Sequence, residues 1–246
     1  MAAMAATFEL RRAAGKLVVG MLHAPPLPGS PRYEGDMAAV AAAVVREAEA
    51  WAAAGADALM LENFGDAPFH ADHVEPATVA ALAALAAAVR AAVGLPLGIN
   101  VLRNDGAAAV AVAAATGAAF VRVNVLCGAR VTDQGLIQGN AAVVARLRRS
   151  LGATHVRVLA DVQVKHSAAL AERPVEEEVA DTLHRGMADA LVVSGSTTGR
   201  AVDGGKLAAV RRAAGAAPVL VGSGVRADTV AQLAPHADGF IVGTSV

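Results

Sequence analysis

DALVVSG (189–195), PVLVGSG (218–224) and DGFIVGTS (238–245) follow one another near the end of the 246-residue chain, each a short β-branched run that leads straight into a glycine turn. Between them, residues 203–214 and 226–234 are alanine-rich with helical spacing. Strand, helix, strand is the order of a parallel sheet. The same alternation recurs toward the N-terminus. HVRVLADV (155–162), AFVRVNV (119–125), PLGINVL (96–102), ADALMLE (56–62) and KLVVGML (16–22) read as strands. Residues 174–186, 139–151, 105–116, 76–93 and 36–54 read as helices.

Eight strands spaced by helices predict an α/β fold, a (β/α)8 TIM barrel of eight parallel strands, because that number closes a sheet on itself. Gly55-Ala56-Asp57, Gly117-Ala118 and Ala188-Asp189, each between a helix and a strand, read as a repeated glycine helix stop at the barrel bottom. Residues 1–246 are expected to form one domain, with 1–14 as an N-terminal segment that is flexible or covers the bottom. The given sequence stops at Val246, just past strand eight: either it is truncated there, or the helix expected to cover strands eight and one is absent. That leaves apolar surface on the barrel wall, to be covered by the N-terminal segment or another subunit, and a homo-oligomer is expected.

Composition narrows the partners. Hydrophobic residues make up 55% of the chain and charged residues 17%, which supplies a large core and argues against disorder. A net charge of -1 gives no general attraction to nucleic acid or an anionic membrane. The alanine-rich stretches are broken by charges well short of the roughly 20 apolar residues of a spanning helix, so no transmembrane segment is expected. The opening MAAMAATFELRR lacks the apolar region and cleavage pattern of a secretory signal, and Cys127 has no partner for a disulfide; both suit the cytoplasm.

The chemistry of this fold sits at the C-terminal ends of the strands. After strand one, a proline-stiffened loop (23–31) holds His23 over the mouth. Strand two ends in Glu62 and Asn63, strand three in Asn100, Arg103 and Asn104, with Asp105 better read as a helix cap. In Val121-Arg122-Val123-Asn124-Val125 the period of two turns Arg122 and Asn124 into the upper barrel, where the guanidinium needs an acid or a bound anion. The same alternation sets Asp161, Gln163 and Lys165 on one side of strand five, placing Asp161 to pair with Arg122 and leaving Lys165 and His166 at the rim. Lysine there suits a Schiff-base nucleophile, an electrophile or a phosphate ligand.

The last three strands carry a phosphate signal. Gly195, Ser196 and Thr197 follow strand six, Gly222, Ser223 and Gly224 strand seven, and Gly243, Thr244 and Ser245 strand eight. Glycine allows close approach, consecutive N–H groups hold phosphate, and the loops after strands seven and eight are the usual phosphate position of this barrel. Asp161, Lys165, His166, Glu62 and His23 are the catalytic candidates. Asn63, Asn100, Arg103, Asn104, Arg122 and Asn124 are the substrate-binding ones. No cofactor is expected and no metal site is assigned, although Glu62, Asp161, His23 and His166 leave room for a divalent cation; His70, Asp72 and His73 are read as a solvated turn.

HAPPLPGSPRY (23–33), GADALMLENFGDAPF (55–69), GINVLRNDGAAA (98–109), FVRVNVLCGARVTDQGLIQG (120–139), DVQVKHSAAL (161–170), PVLVGSGV (218–225) and ADGFIVGTSV (237–246) together resemble the BtpA/SgcQ family over nearly the whole chain. The resemblance implies a barrel of the ribulose-phosphate-binding kind, with the residues above at its motif positions. It also implies a link to biogenesis of a photosynthetic membrane complex, with peripheral membrane association, while other members resemble sugar-metabolism proteins. Two functions follow as expectations. One is an enzyme binding a small phosphorylated metabolite for isomerase, epimerase, lyase or glycosidic-cleavage chemistry. The other is a noncatalytic assembly factor retaining the pocket. An arginine, two acids, a lysine and two histidines converging on one mouth favour the enzyme.

Overall fold

The computed structural model describes residues 8–195 and 202–243. Its core is a closed barrel of eight parallel strands: β1 (Leu17–His23), β2 (Ala58–Glu62), β3 (Leu97–Asn100), β4 (Phe120–Val123), β7 (Arg157–Val162), β9 (Ala190–Val193), β10 (Val219–Val221) and β11 (Gly239–Val242). Helices α1 (Met37–Ala53), α2 (Pro76–Ala92), α3 (Gly106–Thr116), α4 (Ala141–Ser150), α5 (Val175–Ala180), α6 (Gly204–Ala214) and α7 (Val230–Leu233) follow them in turn. The barrel closes where β1 pairs with β11, Leu17 opposite Gly239 through Gly20 opposite Val242.

One element was not anticipated. β5 (Ala129–Thr132), β6 (Gly135–Gln138) and β8 (Ser167–Ala169) form a small antiparallel sheet over the C-terminal face, drawn from the loops that follow β4 and β7. Its strands are three or four residues long and mostly solvated, too short to show a period. The last helix is also shorter than the spacing over 226–234 suggested: α7 holds four residues before a 310 turn at Ala234–His236 containing Pro235.

Alternation sorts the side chains. Leu17, Val19, Met21, Met60, Phe120, Leu159, Val192 and Ile241 fill the barrel interior, whereas Val121, Val123 and Val158 face the helices. Phe120 lies across the lower barrel because Gly98 opposite has no Cβ; a methyl there would overlap the Phe120 ring. From below, Phe8 stacks on Phe120 with ring centroids 5.0 Å apart, and Leu10 is buried beside it.

The bottom is braced by three aspartates, each just before a strand. Asp57, Asp189 and Asp238 accept the N–H groups of Val18, Val158 and Val219, each at 2.8 Å, so every carboxylate ties the start of its own strand to a neighbour. Arginines complete them: Arg12 at Asp57, Arg148 and Arg157 at Asp189, Arg11 and Arg211 at Asp238. Gly55 and Gly117 are left-handed helix stops, as their spacing predicted. Before Ala188-Asp189 the left-handed residue is instead Met187, at φ 59, and Gly186 stays helical.

The apolar scar expected on strand eight is absent among the described residues. Phe240 is 3% exposed, packed in the cluster that holds Leu207, Val210 and Leu233, and Trp51 covers β1, its indole N–H donating to the Met21 carbonyl at 3.0 Å. Among the described residues no helix is long and apolar enough to cross a membrane.

Substituting Gly98→Ala forces the Phe120 ring from its place and should destabilise the barrel by about 1–3 kcal/mol, read as a lower denaturation midpoint in guanidinium.

Candidate functional site

Above the apolar floor the interior turns polar. Arg122 stands one alternation above Phe120, and Asp161 one above Leu159. They meet in a two-pronged ion pair, Arg122 Nε donating to Asp161 Oδ1 at 2.7 Å and Nη2 to Oδ2 at 2.8 Å, with side chains 2% and 0% exposed. Burial pulls the Arg122 proton affinity down, but the charge and hydrogen bonds of Asp161, with Glu62 behind them, leave it raised above its ordinary value. Nη2 also reaches Ser194 Oγ at 3.4 Å.

Strand register sets the next residues side by side. His23 lies opposite Glu62, Glu62 opposite Asn100, and Asn100 opposite Arg122. Asn100 Nδ2 donates to the Arg122 carbonyl at 3.1 Å and to Asn124 Oδ1 at 3.0 Å, while its own buried Oδ1 has no partner among the described residues. His23 Nε2 is 3.9 Å from Glu62 Oε1. The His23 pKa is lowered, by burial first, with Lys165 and Arg122 adding to it and Glu62 opposing.

His23, Glu62, Arg122 and Lys165 line one narrow cleft of about 30 Å³ together with Gly222, Ser223, Gly224 and Gly243. Glycine is needed there. A Cβ on Gly222 would lie 2.5 Å from Val192 Cγ1 and 3.3 Å from Arg122 Nη2, one on Gly243 would lie 2.8 Å from His23 Cε1, and Gly224 has φ 66. Gly195 is buried at the end of β9; Ser196, Thr197, Thr244 and Ser245 lie outside the described residues.

Glu62 and Lys165 also border a second, wider chamber of about 410 Å³, together with Arg103, Asn124 and His166. The two spaces thus meet at one carboxylate and one amine. Burial lowers the Lys165 pKa, with Arg122 and Arg103 adding and Glu62 and Asp161 opposing. Arg103 and His166 are lowered too, burial again first.

Lys165 reaches this point by a turn rather than by alternation. β7 ends at Val162, and Gln163 and His166 take φ 52 and 54, left-handed values that cost a non-glycine residue about 1–2 kcal/mol. Gln163 therefore does not continue the alternation past Val162; with Asp161 and Asn124 it borders a cleft beside the small sheet and α5. The turn is pinned by cations that the sequence did not reveal in this role. Arg103 Nη2 donates to the Lys165 carbonyl at 2.6 Å, and Lys206 Nζ to those of Gln163 and Ser194 at 3.1 and 3.4 Å. Nothing in the spacing of Lys206, on the first turn of α6, signals that reach.

Two expected substrate ligands have other duties. Asn63 accepts the Leu102 N–H at 2.7 Å and donates to Asp66 Oδ2 at 3.1 Å. Asn104 accepts the Val125 N–H at 2.8 Å and donates to the Val125 carbonyl at 3.0 Å. Both amides are occupied in fixing loops. Asp105 caps α3, its Oδ1 accepting the Ala108 N–H at 2.8 Å. Among the described residues no three His, Cys, Asp or Glu side chains group as metal ligands, and His70 and His73 are exposed.

The sequence model of the BtpA family matches residues 14–246. The chain belongs to the BtpA family. An uncharacterized protein of Thermococcus kodakarensis is 50% identical over 93% of this chain and 86% of its own length. The Photosystem I biogenesis protein BtpA of Synechocystis is 44% identical over 93% of this chain and 79% of its own. Among solved structures, a putative phosphonomutase from Burkholderia cenocepacia superposes with a TM-score of 0.61 at 17% identity, covering 94% of this chain and 88% of its own. The N-acetylmannosamine-6-phosphate 2-epimerase of Clostridium perfringens gives 0.58 at 15%, with the same coverage. At such identities the likeness establishes the α/β barrel alone.

Arg122→Ala strands Asp161 as a buried lone charge and should cost about 3–5 kcal/mol, whereas the double change Arg122→Met with Asp161→Leu should cost less than either single change, read by guanidinium unfolding. Because the His23 pKa is lowered on folding, the unfolded chain holds the proton more tightly. The stability from neutral His23 is therefore complete above 6.5 and lost as pH falls below it. Urea midpoints at about pH 7.5 and about pH 5.5 should differ less in His23→Gln than in the unsubstituted protein.

Proposed function

We propose that this BtpA-family barrel is an enzyme acting on a small phosphorylated metabolite. The observation that carries the reading is the single cleft in which the glycine turns after β10 and β11 face Arg122, Lys165, Glu62 and His23. In this reading the phosphate lies against the Gly222–Gly224 turn and Gly243, and Arg122, held by Asp161, supplies fixed positive charge. Asp161, with both oxygens engaged, positions Arg122 rather than exchanging protons.

Glu62 and Lys165, at the junction of cleft and chamber, face the next atoms of the substrate. A lysine with a lowered pKa has more of the neutral amine that can take a proton or attack a carbonyl, and Glu62 can take or return a proton beside it. Isomerisation, epimerisation, bond cleavage beside a carbonyl and glycosidic cleavage can each be served by one group that takes a proton and another that returns it. The name of the 44% identical Synechocystis relative favours a second reading, an assembly factor for a membrane protein complex. That role gives no reason for a strained turn that brings a lysine to the edge of a glycine-lined cleft.

Isothermal titration separates the two. The enzyme reading expects ribose 5-phosphate and inorganic phosphate to bind and compete. It also expects Gly222→Ala to weaken both by about tenfold or more, since its Cβ would intrude between Val192 and Arg122. No binding of any phosphate ester would support the assembly factor.

A further inference from the structure

The chamber above the cleft is built for something other than a short sugar chain. Its volume of about 410 Å³ falls in the range, about 300–1,000 Å³, of sites that enclose ligands of drug size. Its walls are unlike each other. One carries Phe64 and Phe69, two of only five phenylalanines in a chain that is 3% aromatic. Phe64 is 39% exposed, an apolar ring left toward water at the mouth, resting on the His23 ring with centroids 4.6 Å apart.

The other wall is polar and supplies both donors and acceptors. Arg103 presents a planar guanidinium, and Asp133 and Gln134 come from the turn between β5 and β6, so the small sheet serves to bring them over the mouth. Gln134 Nε2 donates to Asp133 Oδ2, and the Asp133 carboxylate is exposed at the chamber's edge. A flat ring with apolar faces and hydrogen-bonding edges suits both walls: its face lies on phenylalanine and its edge meets Gln134 and Asp133.

Building on the phosphate reading above, we propose that the substrate is a nucleoside 5′-monophosphate or a close analogue, its phosphate in the glycine cleft and its heteroaromatic base in the chamber. Glu62 and Lys165, common to both spaces, then face the sugar between them. Bonds to the sugar carbons are the ones within their reach.

The test is isothermal titration of the protein and of Phe64→Ala with ribose 5-phosphate, AMP, GMP, CMP and UMP. At least one nucleotide should bind about tenfold or more tightly than ribose 5-phosphate, and Phe64→Ala should remove that margin while changing ribose 5-phosphate affinity by less than about twofold. The exposed position of Phe64 makes the variant foldable, checked by an unchanged melting temperature. Ribose 5-phosphate binding as well as or better than every nucleotide overturns this inference alone, as does equal weakening of both by Phe64→Ala. Failure of all five probes to bind overturns the phosphate reading with it.

Discussion

A guanidinium inside a barrel must be neutralised where it stands, and Asp161 does this for Arg122 by presenting both oxygens from the next strand. The consequences spread outward. With Asp161 taken up, Glu62 is the carboxylate common to the cleft and the chamber, where it faces Lys165, with Asp133 farther out beside Arg103. After burial itself, Arg122 lowers the proton affinity of His23, Lys165 and Arg103, Lys165 adds to this at His23, and Arg103 adds to it at Lys165. An anion would relieve that repulsion, and the glycine turns after β10 and β11 leave space for one beside Arg122.

Such a pair holds its geometry only if the strands beneath it do. Phe120, seated in the space that Gly98 leaves, seals the lower barrel, and the three aspartate braces tie neighbouring strand starts together. Above, the loop after β7 is held by Arg103 and Lys206 through its carbonyls, so the left-handed turns at Gln163 and His166 are over-determined by their surroundings. The amine they aim is therefore presented by a rigid support.

The barrel was legible because all eight of its strands are short β-branched or apolar runs, and because burying them leaves only the period of two to decide which residues point inward. That rule placed Arg122 and Asp161 together. It failed one residue past the strand, where Gln163 turns left-handed and the period no longer applies. Asn63 and Asn104 looked like substrate ligands because the sequence does not say which backbone groups a folded loop brings near; both amides are used there. Phe64 gave no signal, since an aromatic residue is read as core until its exposure is known. The small sheet was hidden by strands too short to alternate, and with it Asp133 and Gln134.

The central claim is that the glycine turns and the Arg122 wall enclose an anion. Crystals grown without phosphate and then soaked in it test that most directly. The account predicts tetrahedral density between the Gly222–Gly224 turn and Gly243, with main-chain N–H groups and Arg122 at hydrogen-bonding distance. A cleft that stays empty at saturating phosphate, or one closed by the protein's own side chains, would contradict it.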